Sequence, residues 1–331
     1  MKTKLLTITL AAALCAPQAA LAARDGEGME YTSASEGFYG SIRTVFHSRE
    51  GANKSNGPRI GADFSRLGVR GSLDLGHGLT GLYRYEWLIN GDNGANTGNT
   101  RLSYVGLRGD FGEFKAGSHW AQGYNWVTSA TDIASTGSGN FLPTGRVKNS
   151  LEYTTPSLHG LQGSFRIRAD GGDASSEDID EWAGAVKFGG RGFSFGGAYE
   201  VMPDMPVAMT TRQDAEFWAA RAGYAGSDWG INAWYGEKNT SKTIAPAMSG
   251  QTPDDTSIFS AAANMNVGKV AFVGVFETRN DEWRREDAYI VLNVDYQFTG
   301  RSKAYFAYIA NDYETDTDLD DQVRIGLRMD F

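Results

Sequence analysis

From Val323 to Phe331 the chain alternates strictly. Val323, Ile325, Leu327, Met329 and Phe331 are apolar, and Arg324, Gly326, Arg328 and Asp330 between them are polar or glycine. A period of two puts one greasy and one wet face on an extended strand. Ala288, Ile290, Leu292, Val294, Tyr296 and Phe298 form a second such row, set against Asp287, Tyr289, Val291, Asn293, Asp295 and Gln297. Residues 38–48, 67–75, 79–90 and 161–170 behave alike. Short connections (76–78, 109–113, 156–160, 189–192, 225–228, 267–268, 299–300) alternate with long ones (48–58, 90–98, 119–145, 170–180, 202–213, 238–256, 279–284, 312–320). Seven short and eight long connections join sixteen strands. An even strand count with short turns at one end and long loops at the other predicts an all-β chain, a 16-stranded antiparallel transmembrane β-barrel. Pro58, Pro143, Pro156, Pro203, Pro206, Pro246 and Pro253 all fall in these connections, where no ladder hydrogen bond is lost.

Alternation alone does not say which face meets water, because a soluble sandwich reads the same way. Arg66, Arg70, Ser72 and Asp74 share one face of a strand whose other face carries Leu67, Val69, Leu73 and Leu75. The N-terminus breaks the tie. Lys2 and Lys4 precede an apolar run from Leu5 to Cys15, and Ala20-Leu21-Ala22 has the small-residue spacing of a signal-peptidase site. Residues 1–22 are therefore read as a signal peptide and residues 23–331 as a single barrel domain. The chain's one cysteine leaves with the signal, so no disulfide can staple the exported protein. No apolar stretch of the remainder reaches 18 residues, so its membrane-crossing elements would have to be strands.

Glycine at 42 residues, aromatics at 12% and proline at 8 residues suit an all-β chain of short turns. A formal charge of −9, more negative still once Lys2 and Lys4 are removed, argues against nucleic acid as a partner. Gly76-His77-Gly78-Leu79-Thr80-Gly81 fits a dinucleotide-binding pattern, but alternation follows it instead of a helix, so it reads as a hairpin turn. His47, His77, His119 and His159 lie on separate segments, and neither metal-ligand spacing nor a nucleophile elbow appears. The expectation is a protein without catalytic site, cofactor or metal. Asp316, Asp318, Asp320 and Asp321 lack the glycine and distal glutamate of a calcium hand and read as a solvated loop.

Several segments resemble the general trimeric porins of Gram-negative outer membranes, in an order that spans essentially the whole exported length. Phe38-Tyr39-Gly40-Ser41 is similar to that family's first strand. Ser65-Arg66-Leu67-Gly68-Val69-Arg70-Gly71 is similar to its second, and Thr100-Arg101-Leu102-Ser103-Tyr104-Val105-Gly106-Leu107 to its fourth. Thr131-Asp132-Ile133 sits where the family's third loop folds into the lumen. Gly145-Arg146 and Asn149-Ser150-Leu151-Glu152-Tyr153, followed by Pro156, resemble the return strand.

The resemblance implies a passive channel in the outer membrane for ions and small hydrophilic solutes. It implies a homotrimer embedded among lipid and lipopolysaccharide, and a terminal aromatic, Phe331, read as a signal by the barrel-assembly machinery. It further implies a constriction in which arginines on the wall face acids on the third loop. Arg66, Arg101 and Arg146 match the wall arginines and Asp132 a loop acid, while Thr136 stands where a second acid is usual. Ser41 replaces the wall lysine of some relatives, with Arg43 nearby. With Arg70 included, Arg43, Arg66, Arg70, Arg101 and Arg146 outnumber Glu86 and Asp132, which predicts a near-neutral to mildly anion-preferring pore. The third loop also carries Trp120, Tyr124, Trp126 and Phe141; packing against the wall is the favoured role for these aromatics, and stacking on sugars the other. A channel selective for sugars or anions remains the alternative function, with an outer-membrane hydrolase or an adhesin behind it.

Overall fold

The computed structural model describes residues 37–49, 58–89, 97–136, 145–169, 179, 181–203, 214–240, 256–281, 287–312 and 321–331. Residues 1–22, Phe141 and the acidic loops around Asp173 and Asp316 lie outside the described residues. The strand segments are β1 (Gly37–Arg49), β2 (Arg59–Ala62), β3 (Arg66–Gly76), β4 (Leu79–Ile89), β5 (Thr97–Gly109), β6 (Gly112–Trp120), β7 (Arg146–Thr154), β8 (Leu161–Arg168) and β9 (Glu181–Gly190). They continue with β10 (Phe193–Pro203), β11 (Asp214–Ala225), β12 (Trp229–Thr240), β13 (Thr256–Val267), β14 (Val270–Asp281), β15 (Asp287–Thr299), β16 (Ser302–Asp312) and β17 (Gln322–Asp330).

These segments make sixteen barrel strands, because β2 and β3 are two lengths of one strand. Both pair with β1, Phe46 opposite Ile60 above the break and Phe38 opposite Val69 below it. The break is a bulge at Asp63-Phe64-Ser65, where Phe64 holds a φ of 55°. Ser65 Oγ fills the gap in the ladder: it accepts the Arg43 N–H at 2.9 Å and donates to the Arg43 carbonyl at 3.0 Å. Each barrel strand otherwise pairs antiparallel with its neighbours in sequence, and β1 closes the cylinder on β17, with Val45 opposite Gly326. Closure removes the open edges that a sheet otherwise presents to aggregation. At the seam Gly40 and Phe331 exchange backbone hydrogen bonds of 3.0 and 3.1 Å. A Cβ on Gly40 would come within 2.3 Å of the Phe331 ring, so only glycine leaves room for that ring.

Burial resolves what alternation left open. The apolar face points outward: Ile325, Leu327 and Met329 are 52%, 50% and 59% exposed, and Phe195, Ile231, Phe272 and Leu292 stand out from other strands in the same way. A belt this apolar is at home in lipid. Aromatic contacts border it at both ends. Tyr85 meets Trp87, Trp182 meets Tyr199 and Trp218 meets Tyr235 towards the long loops; Phe114 meets Tyr153, Phe193 meets Tyr224 and Tyr296 meets Phe298 towards the short turns. Such girdles mark the two membrane–water boundaries.

Two details differ from the sequence reading. Pro203, expected in a loop, is the last residue of β10 and sits opposite Asp214. A terminal position tolerates it because the ladder ends there. Residues 123–130, expected without regular structure, form a π-helical turn (Gly123–Val127) and a 3-10 turn (Thr128–Ala130). The hairpin reading of 76–78 holds: Gly76, His77 and Gly78 all have positive φ and join β3 to β4.

Candidate functional site

Alternation along β3 and β4 puts Arg66, Arg84 and Glu86 on the face opposite the apolar belt, and an irregularity in the β4–β5 register at Arg101, between the pairs Glu86–Leu102 and Trp87–Thr100, lets Arg101 join them. Glu86 is fully buried, and three groups enclose its carboxylate. Arg101 Nε donates to Oε1 at 2.7 Å, Arg84 Nη2 to Oε2 at 2.9 Å, and the Tyr39 hydroxyl to Oε2 at 2.7 Å. Charge-assisted bonds of this length satisfy the lone pairs that make a buried carboxylate affordable. Arg66 lies within electrostatic reach of the same carboxylate.

The rest of the predicted set is placed around this centre with different intimacy. The Arg70 guanidinium stands 4.5 Å from the centre of the Tyr39 ring. Arg101 and Arg146 approach the Trp120 ring at 5.8 and 5.2 Å, so one indole links the two arginines by cation–π attraction. Arg146 is exposed. Arg43 sits along the wall from this cluster, with its Nε donating to Ser41 Oγ at 2.9 Å, and Arg328 is its cross-strand neighbour. Asp132 accepts a 2.8 Å hydrogen bond from the Tyr124 hydroxyl of its own loop. Thr136 is buried, its carbonyl 3.5 Å from Arg324 Nη1.

Sequence reasoning missed Arg84, Tyr39 and the bridging role of Trp120. Arg84 was within reach of the pattern, since Arg84-x-Glu86 places both side chains on one face of one strand. The association of Tyr39 and Trp120 depends on strand register, which the sequence does not carry.

The third loop leaves β6 at Trp120 and runs along the polar side of the wall. At its root Ala121 N–H bonds to the Gly145 carbonyl at 3.0 Å. The Gln122 amide donates to Glu152 at 2.8 Å and accepts from Arg166 Nε at 2.6 Å. Arg166, fully buried, also reaches Glu181 at 2.5 Å. Gly123 N–H donates to Glu200 Oε1 at 2.6 Å, and Arg221 Nε donates to the Trp126 carbonyl at 2.7 Å. Farther along, the Thr131 hydroxyl accepts from Trp234 Nε1 and from Ser260 Oγ, both at 2.8 Å. Near the end of the described segment Ser135 N–H donates to Asn293 Oδ1 at 3.2 Å, and Ser135 Oγ donates to Asp295 at 2.7 Å. Beyond Gly145, these partners lie on β7 through β13 and on β15.

Packing follows the same path. Trp126 and Val127 bury themselves among Ala185, Ala198, Ala215, Ala219, Phe217 and Trp234, and Ala134 joins a second cluster with Ala262, Val273 and Val291. Alanines on this face leave the volume that the loop fills. Packing, the favoured role for the loop aromatics, is therefore what Trp126 does. Asp132 is the only charged residue between positions 121 and 145, so the loop brings little charge of its own.

The Gram-negative porin profile matches residues 8–330. The chain belongs to the Gram-negative porin family. Among curated relatives it is 24% identical to the outer membrane protein YedS of Escherichia coli over the full length of both chains. It is 26% identical to a monosaccharide porin of a Halomonas species, over 68% of this chain and 66% of that one. Among solved structures the barrel superposes on the anion-selective porin from Comamonas acidovorans with a TM-score of 0.70, covering 89% of this chain and 98% of that one at 18% identity. It superposes on Salmonella typhi OmpF in complex with daunomycin with a TM-score of 0.74, covering 89% and 97% at 18% identity. The apolar belt is therefore the lipid-facing surface of an outer-membrane channel, and the family is one of channels rather than enzymes.

Proposed function

We propose that this porin passes ions and small hydrophilic solutes by passive diffusion, and that the arginine wall around Glu86 sets its charge preference. The observation that carries this reading is the enclosure of Glu86 by Arg84 and Arg101 at 2.9 and 2.7 Å, with Arg66 close by. One carboxylate answers several guanidinium groups, and the loop adds only Asp132. The local sum is positive although the chain as a whole is acidic. Charges beyond a Debye length, roughly 8 Å at physiological salt, are largely screened, so the wall outweighs the distant loop acids. The expected preference is near neutral to mildly anionic. Reversal potentials across a salt gradient in a planar bilayer test it, and strong cation selectivity would overturn it.

Further parts of the reading rest on family membership. The protein works as a homotrimer among lipopolysaccharide, is exported by residues 1–22, and is recognised by the barrel-assembly machinery through Phe331. The seat of the Phe331 ring over Gly40 supports a structural share in that last role. Selection of a particular sugar or anion is the second reading, favoured by the likeness to a monosaccharide porin and to an anion-selective porin.

A further inference from the structure

Arg221 lies on the polar face of β11, in line with the buried Phe217 and Ala219, where the third loop rests on the wall. Its cross-strand neighbour on β10 is Gly196. A Cβ there would come within 2.6 Å of the Trp126 carbonyl oxygen and 2.8 Å of Arg221 Nε, so loop, glycine and arginine are in direct contact. Arg221 Nε donates to that carbonyl at 2.7 Å. The guanidinium is planar, so this one bond also fixes where its other two nitrogens stand. Neither Nη forms a hydrogen bond or ion pair with a described residue, and both keep contact with solvent. The strand ends shortly after, at Ala225, and short turns face the periplasm in this architecture. The free end of Arg221 is therefore on the periplasmic side of the loop.

Its surroundings set this charge apart from the other pore arginines. Arg84 and Arg101 bond to Glu86, Arg108 to Glu113, Arg166 to Glu181 and Arg328 to Asp330, all within 2.9 Å. By Coulomb's law the two charges of so close a pair largely cancel for an ion several times farther away. No described acid does this for Arg221. The inward row that crosses it runs Lys187, Gly196, Arg221, Trp234 and Ser260 from β9 to β13, without a carboxylate. Glu200, the inward acid of β10, stands opposite Phe217 on the side of the long loops and accepts the Gly123 N–H at 2.6 Å. With β2 and β3 taken as one strand, β4 and β11 are the third and tenth of sixteen, so Arg221 faces the Glu86 centre across the lumen.

We propose that Arg221 is a specificity-determining residue of this channel, whose uncompensated charge favours anions on the periplasmic side of the third loop. The proposal rests on the channel reading given above and goes beyond it: the positive lining does not end at the arginine wall but continues past the loop, on the opposite side of the lumen.

Arg221→Gln separates the charge from the loop anchor. The glutamine amide nitrogen takes the place of Arg221 Nε along the side chain and can still donate to the Trp126 carbonyl, while the cationic fork is gone. The assay is the reversal potential of the purified, folded porin across a potassium chloride gradient in a planar bilayer. For an ion passing roughly 8 Å from the fork in water-like dielectric, the anion-to-cation permeability ratio is expected to fall about fourfold near 0.01 M salt and about twofold near 0.15 M. Arg221→Lys keeps the charge and is expected to keep most of the original ratio at both salt levels. Heat-modifiable migration confirms that each variant barrel has formed; should Arg221→Gln not form it, Arg221→Met carries the test. An unchanged ratio in the neutral variant would overturn the assignment while leaving a working channel. An equal fall in the neutral variant and in Arg221→Lys would overturn it too, because the effect would then belong to the loop anchor and not to the charge. Loss of all conductance steps from folded protein would remove the channel reading, and the part of Arg221 with it.

Discussion

Replacing Glu86 by glutamine isolates the charge of the wall from its shape. Glutamine keeps an oxygen that can accept from Arg101 or Tyr39, so the side chain remains seated, but the one negative charge among Arg66, Arg84 and Arg101 disappears. The effect on a passing ion follows from Coulomb's law. An ion roughly 6 Å from the lost charge in water-like dielectric feels a change of about 0.7 kcal/mol. That is a factor of about three in local concentration, gained by anions and lost by cations, hence about tenfold in the permeability ratio at low salt. Screening with a Debye length of about 8 Å roughly halves the energy, which reduces the shift to about threefold at physiological ionic strength. Glu86→Gln is therefore expected to move the anion-to-cation permeability ratio upward, by about tenfold in dilute salt and about threefold near 0.15 M. Reversal potentials measured at both salt levels check the direction and its decay. A ratio that stays constant, or moves towards cations, would show that ions do not pass this wall and that the constriction lies elsewhere.

Other perturbations probe the frame around that site. Arg66→Ala with Arg101→Ala should shift selectivity towards cations, read by the same reversal potentials. Thr131→Val leaves the Trp234 N–H and the Ser260 hydroxyl without their acceptor, at roughly 1–3 kcal/mol each; a looser loop should appear as added single-channel current noise, and a quiet trace would argue against this anchor. Gly40→Val puts side-chain atoms into the Phe331 ring and should lower the yield of heat-modifiable barrel, as should deletion of Phe331; unchanged yields would deny the contact any part in assembly. Native mass in detergent is expected to report a trimer, and a monomer would reject that assembly.

Strand number, hairpin order and the alternation of faces were legible because each depends on residues two apart or on adjacent turns. The bulge at Phe64 was not, since nothing in Asp63-Phe64-Ser65 announces that Ser65 will bridge both backbone groups of Arg43. Whether the apolar face met lipid or a core was not legible in any single strand; the signal-like N-terminus and the strand count supplied it. Arg66, Glu86 and Arg101 were found as candidates one by one. Their convergence depends on register between β3, β4 and β5, where Leu88 faces Arg66 and Leu102 faces Glu86. The loop anchors were out of reach for a plainer reason: Gly123 and Glu200 stand 77 positions apart, and Ser135 and Asp295 stand 160 apart.

The seam between β1 and β17 bears on how freely this gene could be rearranged. Gly40 and Phe331 are hydrogen-bonded neighbours, so a few linker residues could tie Phe331 back to Gly37, and new ends could be cut at any short turn. Opening the Thr299–Ser302 connection would give a circular permutant with the same ladder throughout, whose closing strand becomes β15 with Phe298 near its tip. For the folded cylinder, where the ends lie is a matter of gene order. If such a permutant folded from urea into detergent micelles but did not reach the membrane in cells, Phe331 would matter to the export pathway as an address written on the last strand, separately from any bond it makes in the finished wall.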